Sequence, residues 1–240
     1  MITLIHGDCL VEMKNLPDKS LDLILCDLPY GTTQNKWDIP LPLDKLWGEY
    51  NRLIKDNGAI LLFAQFPYAA RLAMSNIKNF RYDWVWKKNV ATGHLNAKKM
   101  PLKAHDQILV FYKHLPTYNP QLKKGKPYKE IHNCHSSNYG KQRIVPTTNE
   151  GIRYPQSILG FNREIGLHPT QKPVALCEYL IKTYSNVGDT VLDNCMGSGT
   201  VGVACKNTER NFIGIESNEK YFLIAKERIE KQNGCPYGQP

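Results

Sequence analysis

Two short stretches hold the residue types that do chemistry. Asp27-Leu28-Pro29-Tyr30 places an acid, a proline and an aromatic directly after the apolar run Leu21–Cys26. The Asp27 carboxylate and the Leu28 carbonyl, held rigid by Pro29, can each accept a hydrogen bond from an amino group, and Tyr30 can stack on a flat ring. Asp193–Thr200 reads Asp-Asn-Cys-Met-Gly-Ser-Gly-Thr and follows a second apolar run, Thr190–Leu192. Gly197, Gly199 and Gly202 form a G-x-G-x-x-G pattern between a predicted strand and a predicted helix, where glycine lets the backbone come close to a ligand. Glu216 ends the next predicted strand, within the roughly 20-residue reach at which a carboxylate takes ribose hydroxyls. The first stretch suits an amino-bearing ring and the second a nucleoside-type cofactor.

These groups need strands that end where the chemistry begins. Ile2–Ile5, Leu21–Cys26, Ala59–Ala64, Tyr82–Trp86, Ile108–Tyr112, Thr190–Leu192 and Asn211–Ile215 read as strands from their apolar and β-branched or aromatic runs. Helical patterns lie between them: Leu10–Leu16 as one or two turns, Asp44 to Asp56 with Asn57-Gly58 as its stop, Tyr68–Ile77, Pro173 to Tyr184, Thr200–Lys206 and Asn218 to Gln232. Alternating strands and helices predict an α/β, doubly wound sheet, whose ligands sit at the carboxyl ends of the strands.

The chain has 240 residues, 42% hydrophobic and 22% charged, enough for a packed core. A net charge of +9 attracts polyanions. Seven cysteines without a C-x-x-C pair suggest neither a disulfide framework nor a zinc site, and no metal is expected. No segment approaches the ~20 apolar residues of a membrane span, Met1–His6 does not read as a leader, and a cytoplasmic location is expected. Between Lys113 and Arg163 nine Lys or Arg residues stand against two Glu, among frequent Pro, Gly, Asn, Ser and Tyr, which reads as a loop-rich basic insert.

Together these residues resemble the amino-methyltransferases of DNA, which move a methyl group from S-adenosylmethionine to an exocyclic base nitrogen. Asp27–Tyr30 is similar to the family's D-P-P-Y string, with Leu28 replacing the first proline. An acid in first place leans toward adenine N6, and S-P-P-Y toward cytosine N4. Asp193, Gly197, Ser198, Gly199 and Thr200 match D-P-F-x-G-S-G-T, with Asn194 and Cys195 replacing the Pro-Phe pair. His168-Pro-Thr-Gln-Lys-Pro173 matches the family's H-P-T-Q-K-P element. The resemblance thereby places His168, Thr170 and Lys172 near the methionine part of the cofactor, with Lys172 against its carboxylate. Gly7-Asp8 resembles the early Gly-Asp whose acid approaches the cofactor's adenine, and Glu216 takes the ribose role. The order, catalytic motif, basic insert, then cofactor motifs, is that of the family's beta group.

The resemblance implies a mixed seven-stranded Rossmann-like sheet with one antiparallel strand. It implies a catalytic domain over 1–112 and 164–240 and a target-recognition insert over 113–163. The implied activity is site-specific methylation of adenine N6 in double-stranded DNA by base flipping. Cytosine-N4 methylation and a catalytically degenerate DNA-binding protein are the alternatives. A nicotinamide-dependent oxidoreductase explains the glycine turn alone. Lys123, Lys124, Lys126, Lys141 and Arg143 of the insert are expected to meet DNA. So are Lys87, Lys88, Lys98 and Lys99, in a second basic stretch read as a loop that closes on DNA. A homodimer and a separate restriction endonuclease are the protein partners the family suggests.

Overall fold

The computed structural model describes residues 1–32, 35, 38–131, 135–136, 140–141, 146–164 and 171–231. The large sheet contains β1 (Ile2–His6), β2 (Leu21–Asp27), β3 (Ile54–Ala64), β4 (Phe80–Thr92), β5 (Lys103–Phe111), β6 (Ile158–Gly160), β7 (Thr190–Asp193) and β8 (Asn211–Glu216). Their order across the sheet is β1-β8-β7-β2-β3-β5-β4-β6. Every pairing is parallel except those of β5 with β3 and with β4. The expected mixed sheet with one antiparallel strand is therefore present. Eight strands are described rather than seven, because the short β6, which lies within the expected insert, joins the edge beside β4.

Side chains alternate across the sheet, as the period of two dictates. Leu23, Leu25, Ala59, Leu61 and Phe63 enter one core, with residues of α4 (Val174–Tyr184), α5 (Thr200–Asn207) and α6 (Glu219–Lys231). Ile24, Cys26, Ile60, Leu62 and Ala64 enter the other, with residues of α1 (Cys9–Glu12), α2 (Leu43–Leu53) and α3 (Tyr68–Ser75). Burying both faces explains why the central strands read as continuous apolar runs.

The chain moves from β2 outward to β3 and from β7 outward to β8, so the neighbours β2 and β7 form a topological switch point. Open α/β sheets bind ligands in the crevice at such a point. The two chemistry-bearing stretches lie there, one after each strand.

Residues 120–156 form a separate compact unit. It consists of short antiparallel pairs, 123–124 with 152–153, 128–131 with 146–149, and 135–136 with 140–141. Its turn at Gly151 is closed by Asn149 Oδ1, which accepts from the Gly151 and Ile152 backbone N–H groups at 2.9 and 3.1 Å. Among its described residues none is a buried hydrophobic of the two cores.

Candidate active site

A cavity of about 850 Å³ opens at the switch point and is lined entirely by residues of the larger unit. Asp8, Asp27, Asp38, Asp106, Asp193 and Glu216 line it, against Lys88, Arg163 and Lys172. The excess of carboxyl groups favours a cationic ligand.

At its catalytic end, Tyr30 Oη donates to Asp27 Oδ1 at 2.5 Å, and Lys172 Nζ is bonded to Asp27 Oδ2. Burial, then the neighbouring Asp27 charge, pushes the Tyr30 hydroxyl well above its ordinary range, so it stays a donor. Its ring stacks on Tyr68 with centroids 5.1 Å apart. Leu28 is only 2% exposed and sits in the apolar core, which anchors the strand end without the family's first proline. Lys172, expected at the cofactor carboxylate, lines the cavity, pairs with Asp27 and lies 5.1 Å from the Phe63 ring centroid.

Asp38 was not singled out by sequence reasoning, and no local signal marks it. Its Oδ1 accepts from the N–H groups of Tyr30 and Gly31 at 2.7 and 2.8 Å, and its Oδ2 from that of Thr32 at 2.9 Å. Three successive donors on one carboxylate form an anion nest that fixes the chain leaving Asp27–Tyr30. Gly31 holds a φ of +70° in this turn, where a side chain would be strained.

At the other end, Glu216 Oε2 accepts from the Gly197 N–H at 2.9 Å and Oε1 from Asn218 N–H at 2.8 Å. Glu216 thus closes the glycine turn, and each oxygen retains a lone pair for a ligand hydroxyl. Asp8 lines the cavity while capping α1 through Leu10 N–H at 2.8 Å. Gly197, Ser198, Thr200 and Asp193 also line it. Asp193 is 4% exposed, and burial lifts its carboxyl from 3.8 to about 7.

Gly199 has a packing role of its own. It does not line the cavity, and a Cβ there would meet Ala225 Cβ and Ile229 Cδ1 at 3.0 Å. Its φ of +77° and its contact with α6 require glycine, so it packs the turn against that helix. Arg228, also missed, donates from α6 to the Ser198 carbonyl at 3.2 Å and to Thr200 Oγ1 at 2.9 Å, bracing the turn.

Asn194, which replaces the family's proline, is 1% exposed and accepts from Tyr50 Oη at 2.5 Å. The adjacent Cys195 lies near the Cys26 and Cys9 thiols, whose contacts, with burial, hold it well above its ordinary range. Burial pushes Cys26 up to about 12. Cys195 and Cys26 therefore stay protonated and fill space, whereas contact with Cys195 shifts the Cys9 thiol down. Among the described residues no cluster suited to a metal ion occurs.

The expected DNA contacts divide. Lys87, Lys98, Lys99, Lys123, Lys124 and Lys126 are exposed. Lys88 is not a surface charge: it is 9% exposed, with Nζ 2.8 Å from Asp106 Oδ2. It follows Trp84 and Trp86 at the period of two that turns a strand side chain inward. Lys141 lies in a short strand, with its side chain outside the described parts, and His168, Thr170 and Arg143 lie outside the described residues. The basic stretch expected as a loop begins and ends in strand, since Lys87 pairs with His105 and Thr92 with Lys103, and residues 93–102 connect the two strands.

A doubly wound sheet with an acid–aromatic motif and an acid-closed glycine turn at its switch point defines a nucleoside-cofactor enzyme acting on an amino-bearing ring. The chain belongs to the DNA methylase family that unites N6 and N4 enzymes, whose family model matches residues 21–227. It is 30% identical over 252 residues to the type II methyltransferase M.HpaI of Haemophilus parainfluenzae, covering 95% of this chain and 74% of that protein. It is 30% identical over 253 residues to the DNA adenine methyltransferase YhdJ of Escherichia coli (strain K12), covering 95% and 82%. Among solved structures it resembles the M1.HpyAVI–SAM complex, with a TM-score of 0.65, 29% identity and coverage of 95% and 100%.

Proposed function

We infer that this protein is an S-adenosylmethionine-dependent DNA methyltransferase acting on adenine N6 of double-stranded DNA. The observation that carries this reading is Asp27, held by Tyr30 and Lys172, in one cavity with the Glu216-closed glycine turn. The kinship to YhdJ, named a DNA adenine methyltransferase, supports the choice of base.

The residues present fit the cofactor. The cavity volume of about 850 Å³ is of the size that holds such ligands, and its carboxyl groups suit a sulfonium cation. Glu216 would hold the ribose hydroxyls, Asp8 the adenine, and Gly197, Ser198 and Thr200 the remainder. When bound, S-adenosylmethionine supplies an activated methyl group.

The chain's own residues prepare the acceptor. The amine of adenine is a poor nucleophile because its lone pair is delocalised into the ring. Asp27 and the Leu28 carbonyl accept its two hydrogens, which draws the nitrogen toward sp³ geometry and frees the lone pair for in-line attack. The Tyr30 hydroxyl and Lys172 ammonium occupy one lone pair on each Asp27 oxygen and fix the carboxylate before reaction, which is electrostatic preorganisation. In this reading Asp27 takes the proton that N6 sheds. Tyr30, backed by Tyr68, offers its other face to the flipped base.

The basic residues of 120–156, with Lys87, Lys98 and Lys99, hold the DNA backbone in this reading, and the insert over 113–163 selects the target. A homodimer, a separate endonuclease and a cytoplasmic location belong to the same proposal. Size-exclusion chromatography and endonuclease challenge of host DNA test the first two. Among the described residues no helix is long and apolar enough to cross a membrane.

The direct test incubates purified protein with DNA and methyl-labelled S-adenosylmethionine. Label recovered as N6-methyladenine supports the reading. Label on cytosine N4 overturns the choice of base, and no transfer overturns the activity.

A further inference from the structure

The cavity contains charge chemistry that the methyl-transfer reading does not use. Lys88 and Asp106, with side chains 6% and 3% exposed, pair at 2.8 Å in its wall. The other Asp106 oxygen accepts from Gln65 Nε2 at 2.6 Å, and Gln65 Oε1 accepts from Lys103 Nζ at 2.8 Å. Lys88 Nζ lies 5.2 Å from the Trp86 ring centroid. Asp106 stands opposite Trp86 in the β4–β5 ladder, so both lie on the face that carries Phe63, Trp84 and Ile108. The same cavity is lined by Asp27, Tyr30 and Phe63.

A buried ion pair is not explained by stability, because apolar residues of similar volume generally do as well or better. This pair is held in one orientation by Gln65 and Lys103 and opens onto the space that receives a flat heterocycle. An ammonium with one hydrogen on Asp106 has two more to donate. Adenine carries two ring-nitrogen acceptors, N1 and N7, on either side of its amine. We propose that Lys88, held by Asp106, Gln65 and Lys103, donates to one of these nitrogens and so reads the ring edge of the flipped base. The proposal rests on adenine being the target and names the group that recognises it.

The test is single-turnover methyl transfer to a duplex carrying the mapped site, with the target adenine intact or replaced by 1-deazaadenine or 7-deazaadenine. The unmodified protein should lose roughly tenfold to a hundredfold in rate on one analogue, the range expected for a hydrogen bond from a charged donor. In Lys88→Met, and in Lys88→Met/Asp106→Leu, which removes the orphaned carboxylate, intact adenine should be slowed by a similar factor and the analogue penalty should disappear. Indifference of the unmodified protein to both analogues overturns the inference without recourse to any variant. So does an analogue penalty that persists in the variants. Failure of the unmodified protein to methylate intact adenine overturns the underlying reading, and the inference with it.

Discussion

Asp27 has an ammonium on one oxygen and a phenol on the other, which makes its position, rather than its charge alone, the asset. Asp27→Ala should bind S-adenosylmethionine like the parent and lose at least about a hundredfold in kcat, because it removes an interaction used in the transition state. Calorimetric titration and single-turnover kinetics separate the two effects, and near-normal turnover would contradict the role. Asp38 acts through backbone. Asp38→Ala strands three N–H groups and should cost about 2 kcal/mol of stability and much of the turnover, whereas Asp38→Asn, which keeps an acceptor, should recover part of both. Equal kcat in the alanine variant and the parent would remove Asp38 from the site's support. For Asp193, burial raises the folded carboxyl from 3.8 to about 7. The unfolded chain releases this proton at about pH 4 and the folded chain only at about pH 7, so this group's contribution to stability falls as pH rises through that window and is level above it. Asp193→Asn should flatten that decline in urea unfolding midpoints measured across the window; an unchanged slope would contradict the assignment.

The elements that position the site were largely legible in the sequence, because buried central strands and amphipathic helices write strong patterns. Leu21–Cys26, Thr190–Leu192 and Asn211–Ile215 each reappear within a strand extended by one residue, and that residue is Asp27, Asp193 or Glu216. The polar end of the strand is the site, so an apolar pattern stops just short of it. Where α2 was expected to run to Asp56, the helix ends at Leu53 and β3 begins at Ile54. The pairing slips between Leu21 with Ile54 and Leu23 with Ala59, and this irregularity puts polar Lys55–Asn57 in a strand without alternation. Lys88 was legible and misread: Trp84, Trp86 and Lys88 share a face, but two adjacent lysines look like surface. Asp38 and Arg228 were not legible, since their partners lie across loops and helices that spacing does not bring together. The glycine turn carries a prediction at this scale. Gly199→Val should lower the thermal midpoint of the ligand-free protein, because its side chain meets Ala225 and Ile229 in α6. A normal midpoint with lost cofactor affinity would restore the direct-contact reading.

At the scale of the molecule, one unit holds the cavity and a separate compact unit spans 120–156. The net charge of +9 gives DNA binding an electrostatic component. Replacing Lys123, Lys124 and Lys126 together by alanine should weaken DNA binding and reduce its salt dependence by about 0.9 in log–log slope for each phosphate no longer neutralised. S-adenosylmethionine affinity should not change. An unaltered salt slope in fluorescence anisotropy would remove these lysines from the DNA interface. The central claim is methyl transfer to adenine N6 through Asp27. Its most direct measurement is mass spectrometry of nucleosides from a methylation-deficient host expressing the chain or its Asp27→Ala variant. The account predicts N6-methyladenine with the unmodified chain and none with the variant. Equal amounts from both, or N4-methylcytosine in its place, would contradict it.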